Sequence, residues 1–171
     1  MFQMPAQYMF KDLPRVGKRD DYIAYTLEKM DEFNIEKAMI GVDEDQYDTQ
    51  NEAVLKHPER FIACYDTNPN KGMEEVRKIR RLHEKYDLKA VTAFPSGLCP
   101  QVSLADKKWY PVFVTCVDLD LPFCPCVGVP GPRIPMEPQK VEHLDEICWF
   151  FPELKVVMRH GGEPWTDLAW K

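Results

Sequence analysis

No stretch of this sequence is apolar for long enough to cross a bilayer. No Gly-x-Gly-x-x-Gly or Walker loop occurs, so neither a dinucleotide site nor a P-loop is supported. No run of Lys and Arg offsets a net charge of −6, and the basic segment KIRRLHEK is interleaved with apolar and acidic residues. A nucleic-acid surface is therefore not expected. None of the six cysteines forms a Cys-x-x-Cys pair. Cys64, Cys116 and Cys148 lie inside apolar segments, where thiols behave as small hydrophobes. Reduced cysteines and a cytoplasmic location are the expectation. The N-terminal MFQMPAQYMF lacks a charged region followed by an apolar one, so it does not read as a signal peptide.

What is present is a globular composition. The chain has 171 residues, 44% hydrophobic and 29% charged, enough for one domain with a core. Fifteen prolines are scattered at element boundaries rather than gathered in a linker. Residues 1–19 carry no clear period and read as an N-terminal arm, leaving 20–171 as the domain.

Asp20 or Asp21 is placed to cap a helix carrying Ile23, Leu27, Met30 and Phe33, with Asn34 as its stop. KAMIGV (37–42) reads as a strand, followed by an acidic loop at 43–48. A short helix over 49–57 ends before Pro58, and RFIACYDTNP (60–69) is the second strand. Met73, Val76, Ile79, Leu82 and Tyr86 form one apolar helical stripe, with Lys, Arg and Glu on the other faces. KAVTAFPSG (89–97) is the third strand. A helix with Pro111 in its first turn should turn Phe113, Cys116 and Val117 to the sheet. LPFCPCVG (121–128) is the fourth strand, although Pro125 cannot donate to a ladder. A Pro-rich loop leads to a helix marked by Val141, Leu144, Ile147 and Cys148. LKVVMR is the fifth strand, and 164–171 begins a helix.

Strands alternating with helices imply parallel strands and right-handed crossovers. The result is an α/β fold, either an open doubly wound sheet or part of a (β/α)8 barrel. A full barrel needs about 250 residues, more than this chain has.

In such a sheet all carboxyl ends share one rim, where ligands bind. The rim residues are Asp43, Glu44 and Asp45; Asp66 and Asn68; Phe94, Pro95 and Ser96; Cys124, Cys126 and Arg133; and Arg159, His160 and Glu163. KVVMRHGGEPW (155–165) is the most pointed of these, because a strand stops at His160 and two glycines follow that let the backbone turn sharply. Imidazole, thiol and carboxylate together suit metal ligation or acid–base work. A hydrolytic zinc site needs three or four firm ligands, and only His160 and Cys126 stand out here. A Cys–His nucleophile built from Cys126 or Cys124 with His160 is a further reading, though spacing alone does not bring thiol and base together. The acids near residue 44 read as a solvated loop, and His57, His83 and His143 as helix residues far from the rim. Phe94, Phe123 and Trp165 suit a pocket wall, and core packing explains them equally well.

Several stretches resemble the amidohydrolase family 2 proteins, the metal-dependent (β/α)8 barrels that include aminocarboxymuconate-semialdehyde decarboxylase. They are IEKAMIGV, HPERFIACYDTNPN, LKAVTAFPSG, LDLPFCPCVGVPGP and, most specifically, FPELKVVMRHGGEPW. They resemble barrel strands two to six. The resemblance implies a divalent metal, zinc in the family fold, and a small carboxylated substrate undergoing hydrolysis or non-oxidative decarboxylation. It implies that His160 lies beside the metal and activates water or moves a proton. Cys126 falls where the family carries a metal-binding histidine. Either Arg133 or Arg159 would pair with a substrate carboxylate. The family's first-strand His-x-His pair and eighth-strand aspartate have no counterpart in this sequence. The expectation is therefore a partial barrel with weak or no turnover. The alternative is a non-catalytic binding or self-associating module, because the open edges of a part-barrel favour a homo-oligomer.

Overall fold

In the computed structural model the described residues are 11–12 and 17–170, so the arm expected over 1–19 falls largely outside them. Four strands, β1 (Ala38–Gly41), β2 (Phe61–Asp66), β3 (Ala90–Ala93) and β4 (Phe123–Pro125), form one sheet in the order β1-β2-β3-β4. Every pairing is parallel. Between and beside them run α1 (Tyr22–Glu32), α2 (Asp48–Lys56), α3 (Met73–Tyr86), α4 (Tyr110–Asp118), α5 (His143–Phe150) and α6 (Thr166–Ala169). The α/β alternation and the parallel sheet stand as read from the sequence, and the arrangement is part of a TIM-type barrel.

The fifth strand is a finding of its own. Residues 155–159 run parallel to β4 but join it only through two separate bridges, Phe123 with Val156 and Cys126 with Arg159. The Phe123 N–H donates to the Lys155 carbonyl at 2.8 Å, and the Val157 and Arg159 N–H groups donate to Phe123 and Pro125 at 2.9 Å. The missing rung is the one Pro125 would donate, because a proline has no N–H. The strand expected over LKVVMR is thus an extended segment pinned at two points.

Alternation along the strands separates two faces. Ala38, Ile40 and Val42, then Phe61, Ala63 and Tyr65, then Val91 and Ala93, then Phe123 all pack in the main core with the helices. Trp109, Phe113 and Phe123 are fully buried there, so Phe123 is a core residue and lines no pocket. The opposite, concave face carries Cys64, Ala90 and Cys124 as a small apolar cluster. Met39 and Val157 stand on that side and remain 46% and 52% exposed.

Local chemistry fixes the helix ends. Asp21 caps α1, its carboxylate accepting from the Ile23 and Ala24 N–H groups at 2.9 Å. Asn34 follows α1 in the left-handed region, as a helix stop should. On α3, Val76, Ile79, Leu82 and Tyr86 are buried as expected, but Met73 is 54% exposed. Glu75 and Lys78 are buried instead. Cys148 also departs from the reading. It is exposed on the outer side of α5, beside an exposed Trp149. Among the described residues no helix is long and apolar enough to cross a membrane.

Candidate functional site

The rim at the carboxyl ends of the strands gathers one column of side chains on the concave face. Thr92 pairs in register with Asp66 on one side and Cys124 on the other. Its hydroxyl donates to the Asp66 carboxylate at 3.1 Å. Cys126, two residues beyond Cys124, bridges to Arg159, and the Cys126 N–H donates to the Ala93 carbonyl at 2.8 Å. His160 follows, and its Nε2 lies 3.5 Å from the Cys126 Sγ. Thiol and imidazole therefore meet, which spacing alone did not establish.

The turn that makes this possible is backbone-driven. His160, Gly161 and Gly162 all have positive φ, of 67°, 68° and 74°. Two glycines take that conformation freely, and a histidine takes it at some strain. The turn is latched to the loop after β4. The Val129 N–H donates to the Glu163 carbonyl at 2.7 Å, and Gly128 lies directly against residues 162 and 163. Gln139, almost fully buried, donates to the Gly128 carbonyl at 2.8 Å and accepts from the Ser96 N–H at 3.4 Å. It ties the loops after β3 and β4 together.

Electrostatics on this face are set by the Arg159 guanidinium beside buried thiols and the solvent-exposed Asp66 carboxyl. Burial pushes the Cys64 thiol up to about 11 and raises those of Cys124 and Cys126, with the Arg159 guanidinium opposing each rise. Partial desolvation also raises the Asp66 carboxyl, which stands at the exposed end of β2, against the Thr92 hydrogen bond and Arg159. Arg159 is exposed, and its guanidinium has no hydrogen-bond or ion-pair partner among the described residues. It is a free guanidinium facing three thiols and a carboxyl.

The other expected residues are placed as follows. Phe94 is half-buried and its ring lies against Gly97. Trp165 is half-buried and packs on the main core. Arg133 is exposed in the loop after β4. The acidic loop after β1 is ion-paired rather than simply solvated, since Lys78 contacts Asp43 at 2.8 Å and Asp45 at 2.9 Å. His57, His83 and His143 sit on or beside helices. Two cavities, of about 540 and 360 Å³, lie between α1 and α2, away from this rim, lined by residues such as Leu27, Thr49, Glu52 and Ile40.

A family model described as Amidohydrolase matches residues 5–171. The chain belongs to the amidohydrolase family. No curated protein matches its sequence. Among solved structures, a TIM-barrel protein from Bordetella bronchiseptica is 18% identical with a TM-score of 0.71, covering 86% of this chain and 54% of that one. A 2,6-dihydroxybenzoate decarboxylase complexed with 2,6-dihydroxybenzoate is 15% identical, with a TM-score of 0.68 and coverage of 91% and 60%. A 5-carboxyvanillate decarboxylase from Novosphingobium aromaticivorans, complexed with manganese and 4-hydroxy-3-methoxy-5-nitrobenzoic acid, is 19% identical, with a TM-score of 0.67 and coverage of 97% and 55%. This amidohydrolase chain spans a little over half the length of each, and identities this low establish the fold.

A divalent metal in this family calls for a donor test. A firm site needs three or four ligands. Among the described residues no three His, Cys, Asp or Glu side chains converge. Cys126 and His160 supply two donors, one of them a thiol that burial holds protonated. The described residues do not fit a resident divalent metal.

Two contributors escaped the sequence reading. Gln139 sits in a Pro-rich loop with no periodic signal. Thr92 was marked only by its parity, shared with Asp66 and Cys124 across the register.

Proposed function

We propose that the concave face takes a small carboxylated substrate, with Arg159 holding the carboxylate and His160 carrying a proton. The parent reaction is metal-assisted hydrolysis or non-oxidative decarboxylation. With two metal donors, turnover by this chain is weak or absent. One observation carries the reading: a guanidinium without a partner among the described residues and an imidazole stand in consecutive positions at the strand ends. A guanidinium forks two parallel N–H groups onto a carboxylate, and its worth rises where water is partly excluded. Imidazole is the side chain that ordinarily exchanges protons near neutrality. Phe94 and Trp165 at the same rim, and Arg133 in the neighbouring loop, are the proposed walls. The solved neighbour complexed with 2,6-dihydroxybenzoate supports an aromatic carboxylate as the probe.

Titration of 2,6-dihydroxybenzoate into the protein tests this by calorimetry. Arg159→Gln should weaken binding about tenfold or more, since a hydrogen bond to a charged group is worth roughly 1.5–3 kcal/mol. Equal affinity in the two proteins would overturn the assignment. Metal content after purification tests the second half, and one tightly held equivalent of zinc or manganese would refute weak binding.

A second reading is a self-associating, non-catalytic module. Met39 and Val157, exposed on the concave face next to the open sheet edges, favour it. Light scattering that finds a concentration-independent monomer would remove it.

A further inference from the structure

We infer that Cys126 and His160 form a thiol–imidazole nucleophile, whose Sγ is acylated or alkylated by carboxylate-bearing electrophiles drawn in by Arg159. The substrate class rests on the carboxylate reading of Arg159, and the chemistry rests on the Sγ–Nε2 contact.

Three independent placements converge. The first is the 3.5 Å approach of Sγ to Nε2, a hydrogen-bond distance for the larger sulfur atom. The second is register, since Cys126 bridges to Arg159 and that guanidinium acts on the sulfur. The third is selectivity. Cys64 and Cys124 lie on the same face and feel the same guanidinium, but neither contacts a histidine. A metal centre needs more donors than this rim gathers, whereas a nucleophile needs two groups. The left-handed backbone at His160 is what returns the ring to β4.

The step balances without an outside oxidant or reductant. On an activated aryl ester, Sγ bonds to the acyl carbon as the thiol proton passes to Nε2. The adduct collapses with cleavage of the carbon–oxygen bond, and the Nε2–H proton goes to the leaving phenolate. Water then cleaves the thioester and restores the thiol. Burial disfavours a standing thiolate, so the base acts during attack rather than before it.

Competitive alkylation with iodoacetate and iodoacetamide, followed by mass mapping of all six cysteines, tests the inference. Exposed Cys99 and Cys148 serve as references, and fully buried Cys116 reports that the fold is intact. Expected is a faster reaction of Cys126 with iodoacetate than with iodoacetamide, the reverse of the order at Cys99 and Cys148. His160→Gln should slow both reagents at Cys126 about tenfold or more. Arg159→Gln should erase the iodoacetate preference alone. If His160→Gln leaves the Cys126 rate unchanged with Cys116 still protected, the nucleophile is overturned whatever Arg159 does. If only the Arg159→Gln result fails, the carboxylate reading falls and the pair stands. Mono-4-nitrophenyl succinate gives a second readout: nitrophenolate release with a succinyl group on Cys126, absent in Cys126→Ala. Release that persists undiminished in Cys126→Ala defeats the acyl step.

Discussion

Gly128 and Glu163 lie backbone against backbone, so that a Cβ on Gly128 would stand 2.3 Å from the Glu163 carbonyl oxygen. Gly128 also has a φ of 105°, which L side chains rarely adopt. Both facts place a methyl group where neither the turn nor the loop can yield cheaply. Gly128→Ala should lose about 2 kcal/mol or more in urea unfolding, from backbone strain and overpacking together. It should also separate His160 from Cys126, read as slower alkylation of Cys126 in the folded protein. Wild-type stability would show that the two loops are not locked.

Asp66 predicts a pH dependence. Its folded pKa is raised by burial, so the native state binds the proton more tightly than the unfolded chain. The unfolded chain releases that proton from about 3.8 upward, and stability then falls until the folded pKa is passed. Asp66→Asn keeps an acceptor for Thr92 and carries no charge to desolvate. The variant should be the more stable protein at pH 7, and the advantage should vanish below about pH 3.8. Chemical denaturation across this range checks the sign.

Glu75 anchors the chain beyond β2. One of its oxygens accepts from the Tyr65 hydroxyl at 2.8 Å, the Thr67 hydroxyl at 2.9 Å and the Asn68 N–H at 2.6 Å, and the other has no partner. Glu75→Ala strands two buried hydroxyl donors and one part-buried N–H, and should destabilise by about 2–3 kcal/mol. Glu75→Gln keeps the accepting oxygen and should lose less. Urea midpoints that place the two variants level would contradict this.

The alternation of strands and helices was legible because each strand is a short apolar run and each long helix carries a stripe. Val76, Ile79, Leu82 and Tyr86 show it plainly. The rim was legible too, since parallel strands must deliver Cys126, Arg159 and His160 to one end. What sequence did not carry was pairing at a distance. Nothing local says that Glu75 and Lys78 are buried, because their partners Tyr65 and Asp43 lie on other elements. Cys148 misled for the same reason, since an apolar neighbourhood in sequence became an outward face in space. Gln139 acts only through loops that meet after folding.

His160 separates stability from chemistry. Its φ of 67° costs a branched or bulky residue roughly 1 kcal/mol that glycine avoids. His160→Gly should therefore unfold at higher urea while Cys126 alkylation slows. Parallel losses in both would argue that the ring is a packing element.

Pro125 leaves a gap in the stitching between β4 and residues 155–159, whose amides at Val157 and Arg159 are the sole donors from that segment to the sheet. Opening by thermal fluctuation starts at the weakest seam, so these two amides should take up deuterium well before those inside β2 and β3. The imidazole cannot inherit its position from a continuous ladder. It is instead clamped from above by its own loop, and one absent hydrogen makes the endurance of the sheet and the aim of the histidine two separately adjustable properties.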